Sequence, residues 1–278
     1  MPDAQPAANW PELVAPGAWR SVDFISDLHL QPSEPATFDA WRAFLHGQVT
    51  GAPDDSPVAD ALFILGDLFE VWVGDDVLDS DDSSAPFWRA CADVIAERAR
   101  RTPVFFMAGN RDFLIGPVAR ARMGWQVLSD PTVLQMGQYR TLLSHGDALC
   151  VDDTDYQAFR KAVRQSEWQR DFLGQALVDR LRVARDLRER SQARKDELGT
   201  DPSLWADVDH DAAAQWLSQG RTQRLIHGHT HRPGQHAWGE GLQREVLSDW
   251  ELGGPQPRSE VLRLHVSGAL TRWQPQAI

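Results

Sequence analysis

The chain has 278 residues and a mass of 31.2 kDa, enough for one sizeable domain or one domain with an insertion. Its net charge of −12 argues against nucleic acid as a default partner, although 42% hydrophobic residues and twelve tryptophans supply ample core. The two cysteines, Cys91 and Cys150, stand in no paired spacing, which excludes a disulfide scaffold and fits a reducing compartment.

Residues 1–20 are rich in Ala and Pro, with no basic start and no apolar stretch. They read as an N-terminal extension rather than a signal peptide. The first strand is expected at 22–26 and runs straight into Asp27-Leu28-His29. A helix follows at 38–46, then a strand at Ala61–Leu65 that ends on Gly66-Asp67. Residues 75–84 are acidic and Ser-rich, and read as a solvated loop. Trp88, Cys91, Ala92 and Ile95 recur at helical spacing within 87–100. A strand at 104–108 precedes Gly109-Asn110-Arg111-Asp112, and another at Tyr139–Leu143 precedes Ser144-His145-Gly146-Asp147.

Beyond that point the strand signal vanishes. Phe172, Leu173, Ala176, Leu177, Leu181, Ala184 and Leu187 follow i, i+3, i+4 spacing with arginines on the other faces. Residues 156–195 hold eleven Arg and Lys against five Asp and Glu, a basic island on an acidic body. The stretch 155–219 is therefore expected to be a helical cap inserted into a domain spanning 21–278. The strand pattern resumes at 224–226, followed by His227-Gly228-His229-Thr230-His231, and two closing strands are expected at 245–250 and 261–266. No run approaches the roughly 20 apolar residues that span a bilayer.

Five polar blocks thus sit where strands end, and in an α/β layered domain such loops gather distant residues into one site. Their donors are carboxylate, amide and imidazole, with no thiolate, which suits a pair of divalent cations better than a structural zinc. In an extended Asp-x-His both side chains reach one ion. Asp67, with two oxygens, is the candidate bridge, and Asn110 adds a ligand without charge. Each block alone is weak: Gly-Asn is usually turn chemistry, and a lone Asp-x-His is usually chance. His46, His210, His236 and His265 fit no block and read as incidental, and Cys150 reads as a small buried residue.

Asp-x-His, Gly-Asp, Gly-Asn, His and Gly-His-x-His, in this order, resemble the signature of calcineurin-like metallophosphoesterases. The resemblance implies a four-layer α/β/β/α sandwich with a dinuclear centre. It implies Asp27, His29, Asp67 and His231 on one metal, and Asp67, Asn110, His145 and His229 on the other. One position departs from the broad family, which usually follows the asparagine with histidine; here it is Arg111. Arginine cannot protonate a leaving group but can clamp phosphate oxygens, which points to cleavage of a pyrophosphate bond.

Longer stretches are similar to a narrower family, the UDP-2,3-diacylglucosamine diphosphatases of lipid A biosynthesis. They are Gly66-Asp67-Leu68-Phe69-Glu70-Val71-Trp72, residues 109–116, Ser144 to Asp153, Tyr156-Gln157-Ala158-Phe159-Arg160 and 225–233. That likeness implies a dinuclear pyrophosphohydrolase, with Mn2+ as its usual metal, acting at the cytoplasmic face of the inner membrane. Hydroxide held by the two metals would attack the α phosphorus to give UMP and 2,3-diacylglucosamine 1-phosphate. Asn110, Arg111, Asp153, Ser191, Lys195 and His229 would contact the substrate, with Asn110 and Arg111 in the catalytic step. The protein would attach peripherally to the membrane and need neither nucleic acid nor an obligate protein partner. Two rivals share the ligand set. A phosphodiesterase or nuclease is disfavoured by the acidic body, and a non-catalytic scaffold should have lost ligands, whereas all seven positions are filled.

Overall fold

A computed structural model describes residues 10–53, 56–198, 206–239 and 241–278. In chain order the early elements are β1 (Glu12–Val14), β2 (Ser21–Ile25), α1 (Pro35–His46), β3 (Val49–Thr50), β4 (Ala61–Leu65) and α2 (Ala85–Ala99). Next come β5 (Val104–Met107), α3 (Pro117–Met123), β6 (Gln126–Leu128), β7 (Thr132–Met136) and β8 (Tyr139–Leu143). Four helices follow: α4 (Thr154–Val163), α5 (Ser166–Leu173), α6 (Leu177–Leu198) and α7 (His210–Gly220). The chain then forms β9 (Arg224–His227), β10 (Gly234–Ala237), β11 (Gln243–Val246), β12 (Val261–His265), β13 (Leu270–Trp273) and β14 (Gln276–Ala277).

Two six-stranded sheets result, ordered β13-β12-β2-β4-β5-β6 and β1-β7-β8-β9-β11-β10. In the first, β2, β4, β5 and β6 are parallel, with β12 and β13 added antiparallel on one side. Strand β4, Ala-Leu-Phe-Ile-Leu, is buried at every position because both faces of the sheet are covered. Its alternation decides which layer each side chain joins. Ala61, Phe63 and Leu65 meet Leu134, Leu143 and Ile226 between the two sheets. Leu62 and Ile64 face away, into a cluster with Trp41, Trp88 and Ile95 of α1 and α2. A third cluster joins Val133, Leu142 and Leu225 of the second sheet to Ala213 and Leu217 of α7. Three apolar interfaces between four layers make the α/β/β/α sandwich that the sequence resemblance implied.

Several details differ from the sequence reading. Residues 10–20 are part of the sandwich, not an extension from it: β1 pairs in parallel with β7, and Trp10 packs on Trp216 at 5.4 Å. The 75–84 segment is no solvated loop. It opens with a short 3-10 helix at Asp75–Asp79 that buries Val77 and Leu78. Asp75 there accepts the backbone N–H groups of Gly116, Val118 and Ala119 at the start of α3. The strand expected at 245–250 ends at Val246, and beyond it the Leu247 and Trp250 N–H groups donate to the His227 and Asp27 carbonyls. Helix α7 falls inside the expected cap yet forms the fourth layer.

Helices α4, α5 and α6 stand over the strand ends. Asp153 caps α4 by accepting the Tyr156 N–H at 3.2 Å. Arg180, buried at 2% exposure, ties α6 to the Val73 carbonyl and to Asp76. Trp168, Leu177 and Leu181 pack on the α1–α2 side of the first sheet. No helix among the described residues is long and apolar enough to cross a membrane.

Candidate metal centre

Parallel strands deliver their C-terminal ends to one edge of the sandwich, where α/β folds gather their ligands. Strand β2 leads to Asp27 and His29, β4 to Asp67, β5 to Asn110, β8 to His145, and β9 to His229 and His231. The seven residues converge in two adjacent groups. Asp27, His29 and His231 bring one donor atom each to within 4.8 Å of one another, and so do Asp67, His145 and His229. His29 Nε2 and His231 Nε2 lie 3.5 Å apart in the first group. In the second, Asn110 Oδ1 sits 3.1 Å from His145 Nε2 and 3.0 Å from His229 Nδ1.

The backbone at these positions is unusual in a consistent way. Asp27, His29, Asp67, His229 and His231 all have φ between 47° and 66°, and among the described residues Arg221 alone joins them outside glycine. Such residues cost on the order of 1–3 kcal/mol each and persist only when their surroundings hold them. Cross-loop hydrogen bonds do the holding. The Asp27 and His29 N–H groups donate to the Gly66 and Asp67 carbonyls at 3.1 and 3.0 Å. The His229 N–H donates to the Asp27 carboxylate at 2.9 Å. Buried Asp112 accepts from the Leu68 and Gly109 N–H groups, both at 2.8 Å, and so staples the second block to the third. At Gly109 and Gly228 a Cβ would collide with the carboxylates of Asp67 and Asp27. Glycine is there because backbone must touch ligand.

The donor set fits divalent cations on chemical grounds. His145 Nδ1 lies 2.9 Å from the Leu65 carbonyl and donates to it, so in the neutral ring Nε2 presents a lone pair. That lone pair faces Asn110 Oδ1 and, at 3.7 Å, Asp67 Oδ1, both oxygens. With that nitrogen unprotonated, the atoms aimed at one point include no donor, and a cation would satisfy them. Burial works against a charged His145, yet Asp67, Asp147 and Asp27 outweigh it and push its pKa up to about 9. Beside it, burial and the positive His145 push His229 down to about 4. Strong negative potential in a buried set of N and O donors suits a hard or borderline metal.

Behind the ligands lie groups that the sequence reading missed. His29 Nδ1 lies 3.0 Å from Glu70 Oε2, and His231 Nδ1 lies 3.5 Å from Asp249 Oδ2. Arg258 holds Asp249 with two nitrogens, at 2.9 and 2.7 Å. Tyr156 stacks on the His229 ring at 5.9 Å while its hydroxyl donates to Asp147 at 2.6 Å, beside Arg160 Nε at 2.8 Å. His227, first of its block, turns away from the centre and accepts from Arg244 Nε at 2.9 Å. Burial and the adjacent Arg244 push His227 down to about 3. Glu70 and Asp147 stand in quoted motifs, so their position was on view, but only the fold reveals what they touch.

A cavity of about 1550 Å³ opens above the ligands. Asp67, Asn110, Arg111 and His229 line its floor, and Trp168, Phe172 and Leu181 line the cap side. Asp153 and His210 also reach this cavity. The Arg111 guanidinium lies 3.7 Å from Glu70 Oε1, and its buried Nε is without a hydrogen-bond partner among the described residues. Ser191 and Lys195 fall on α6, and their side chains lie outside the described residues. Cys150 is buried beside the site, and burial followed by Asp147 pushes its thiol up to about 12, far from a nucleophile.

Comparison with known proteins agrees with this geometry. The profile of the calcineurin-like phosphoesterase family matches residues 20–233. A protein named UDP-2,3-diacylglucosamine hydrolase from Xanthomonas oryzae pv. oryzae (strain PXO99A) is 45% identical over 254 residues, covering 88% of this chain and 95% of its own. One of the same name from Xanthomonas campestris pv. campestris (strain B100) is 43% identical over 258 residues, covering 88% and 95%. Another, from Chromobacterium violaceum, is 42% identical over 241 residues, covering 84% and 92%. With this fold, these paired donor groups and such relatives, the chain belongs to the calcineurin-like phosphoesterase family.

Proposed function

We propose that the chain hydrolyses the pyrophosphate bond of UDP-2,3-diacylglucosamine, releasing UMP and 2,3-diacylglucosamine 1-phosphate for lipid A biosynthesis. The observation that carries this reading is the pairing of two donor groups with one large cavity, polar on its floor and apolar on its cap side. A nucleotide diphosphate joined to a doubly acylated sugar needs both surfaces. Relatives named for that substrate, matched across most of both chains, support it.

In this reading Asp27, His29, Asp67 and His231 hold one cation and Asp67, Asn110, His145 and His229 the other, with Mn2+ as the expected metal. Two such ions supply Lewis-acid polarisation of phosphoryl oxygens and lower the pKa of water enough to furnish a nucleophile at neutral pH. The protein's own groups do the remaining work. Asn110 and His229 orient the phosphate attacked. Arg111 keeps its charge at any working pH and clamps the departing phosphate. That leaving group, a monoester with second pKa of about 6, requires charge neutralisation and not a proton. Asp153, which lines the cavity, would contact the rest of the substrate head, with Ser191 and Lys195 the further contacts that the sequence resemblance implies.

The cap is taken as the inserted unit, ending before α7. Trp168, Phe172 and Leu181 would hold acyl chains. Val178 and Leu187 are exposed apolar residues on the arginine-rich α6. Such a surface supports peripheral attachment to the cytoplasmic face of an anionic inner membrane. The test is turnover of UDP-2,3-diacylglucosamine against bis(p-nitrophenyl) phosphate, each with Mn2+ added back. The reading expects the lipid nucleotide to be preferred by at least about 10³ in kcat/KM. Equal rates on both would refute the substrate assignment.

A further inference from the structure

The cavity above the donor groups has two ends, built from different layers. At one end the lining is apolar: Trp72, Trp88, Phe113, Phe172 and Leu181 belong to the cluster on the α1–α2 side of the first sheet. At the other end the lining comes from three short segments, 150–156, 206–210 and 230–232. Cys150 and Val208 of those segments belong to the cluster on the α7 side of the second sheet. The donor residues follow strands of both sheets, so they lie between the two ends.

Most of the charge at the second end is already used. Asp207 accepts from Arg232 Nη1 at 2.6 Å and from Arg244. Asp209 caps α7 by accepting the Ala212 N–H at 2.8 Å, and its own N–H donates to the Leu149 carbonyl at 2.9 Å, which fixes the second segment to the first. Asp152 and Asp155 are different. Both are exposed and line the cavity, and neither carboxylate has a hydrogen bond or ion pair among the described residues.

These walls sort the parts of a lipid nucleotide. The pyrophosphate is anionic, so it belongs over the cations and Arg111, away from two unpaired carboxylates. The acyl chains belong in the apolar end. In-line attack at the α phosphorus leaves the nucleoside attached there as a bystander, on the other side of the pyrophosphate from the acylated sugar. It is the part that remains for the second end. Its chemistry fits, because ribose offers two neighbouring uncharged hydroxyl donors and ionised carboxylates only accept. Resting on the substrate reading above, we infer that this second end is the nucleoside subsite. Asp152 and Asp155 select ribose there by accepting its 2′- and 3′-hydroxyls.

The experiment compares kcat/KM for UDP-2,3-diacylglucosamine and for its 2′,3′-dideoxyuridine counterpart at saturating Mn2+. Wild type is expected to prefer ribose by about 10-fold or more, since the dideoxy compound forfeits two hydrogen bonds to charged acceptors. In the double variant Asp152→Ala, Asp155→Ala that preference should shrink to within about 3-fold, through a loss on the ribose substrate alone. A general disturbance of the fold would lower both rates and leave the preference in place. Inhibition by the product 2,3-diacylglucosamine 1-phosphate should stay within about 3-fold of wild type, because the acylated sugar lies elsewhere. Equal turnover of both substrates by wild type, or a preference that survives in the variant, would overturn the subsite. So would weaker inhibition of the variant by the acylated sugar phosphate, which would put the sugar at this end instead. Wild type that turned over neither lipid nucleotide would overturn the hydrolase reading itself.

Discussion

The strand-end loops and the cap are made by opposite means. In the loops, polar groups are buried and their geometry is over-determined: five candidate ligands hold left-handed backbone, and the cross-loop hydrogen bonds leave little freedom. In the cap, α6 exposes Val178 and Leu187 while Leu177 and Leu181 pack on the body and Arg180 and Arg188 pair with its acids. Rigid loops suit chemistry that tolerates little misplacement. An apolar-faced cap suits a substrate with flexible chains. Changes in the loops should therefore fall on kcat and metal content, and changes in the cap on KM.

The sharpest way to break that division is Asp67→Ala, which removes the carboxylate proposed to serve both cations. It should lower kcat by about 10³-fold or more even at saturating Mn2+. Bound metal counted after gel filtration should fall with it; near-normal rate with full metal content would remove Asp67 from the centre. Next in size, Arg111→Ala should cost about 10²-fold in kcat, with Arg111→Lys recovering part of the loss because charge survives without the planar fork. If Arg111→His matched wild type on a nucleoside diphosphate conjugate, charge neutralisation of the leaving phosphate would be the wrong role.

His227 tests the frame behind the ligands. Buried and next to Arg244, it has its pKa pushed down to about 3 from 6.5. Its neutral form is the one that the fold accepts. The stability it contributes is fully present above about pH 6.5 and is lost as pH falls toward 3, at about 1.4 kcal/mol per unit. Chemical denaturation between pH 7 and pH 5 should show a shallower decline for His227→Gln than for wild type. Identical slopes would mean that His227 is not held neutral. The smallest effect is expected in the cap. Trp168→Ala should raise KM for the diacylated substrate by about 10-fold with kcat within about 3-fold, the pattern of lost uniform binding. A matching fall in kcat would show that the cap shapes the reacting centre after all.

The candidate metal-binding residues were legible because each stands in a short local block at a strand end, where sequence alone fixes both residue type and position. The strand at Ala61–Leu65 was legible as an unbroken apolar run. What stayed hidden depends on contacts distant in sequence. Glu70 matters because His29 folds onto it, and Asp249 because the chain turns back after Val246 and carries it to His231. Asp75 looked like one more charge in an acidic run, yet it caps α3. Strand β1 has three residues with an exposed pattern, too short for any periodicity to announce it. Helix α7 has the same amphipathic signature as the cap helices; only its sheet partners distinguish it.

The most direct measurement strips metal from the purified protein, returns Mn2+ in steps, and follows bound metal and UMP release from UDP-2,3-diacylglucosamine together. Activity should be absent after stripping and reach its full value only as the second Mn2+ per chain binds. Full turnover by the stripped protein, or full turnover with at most one ion bound, would contradict a two-cation centre built from these five loops.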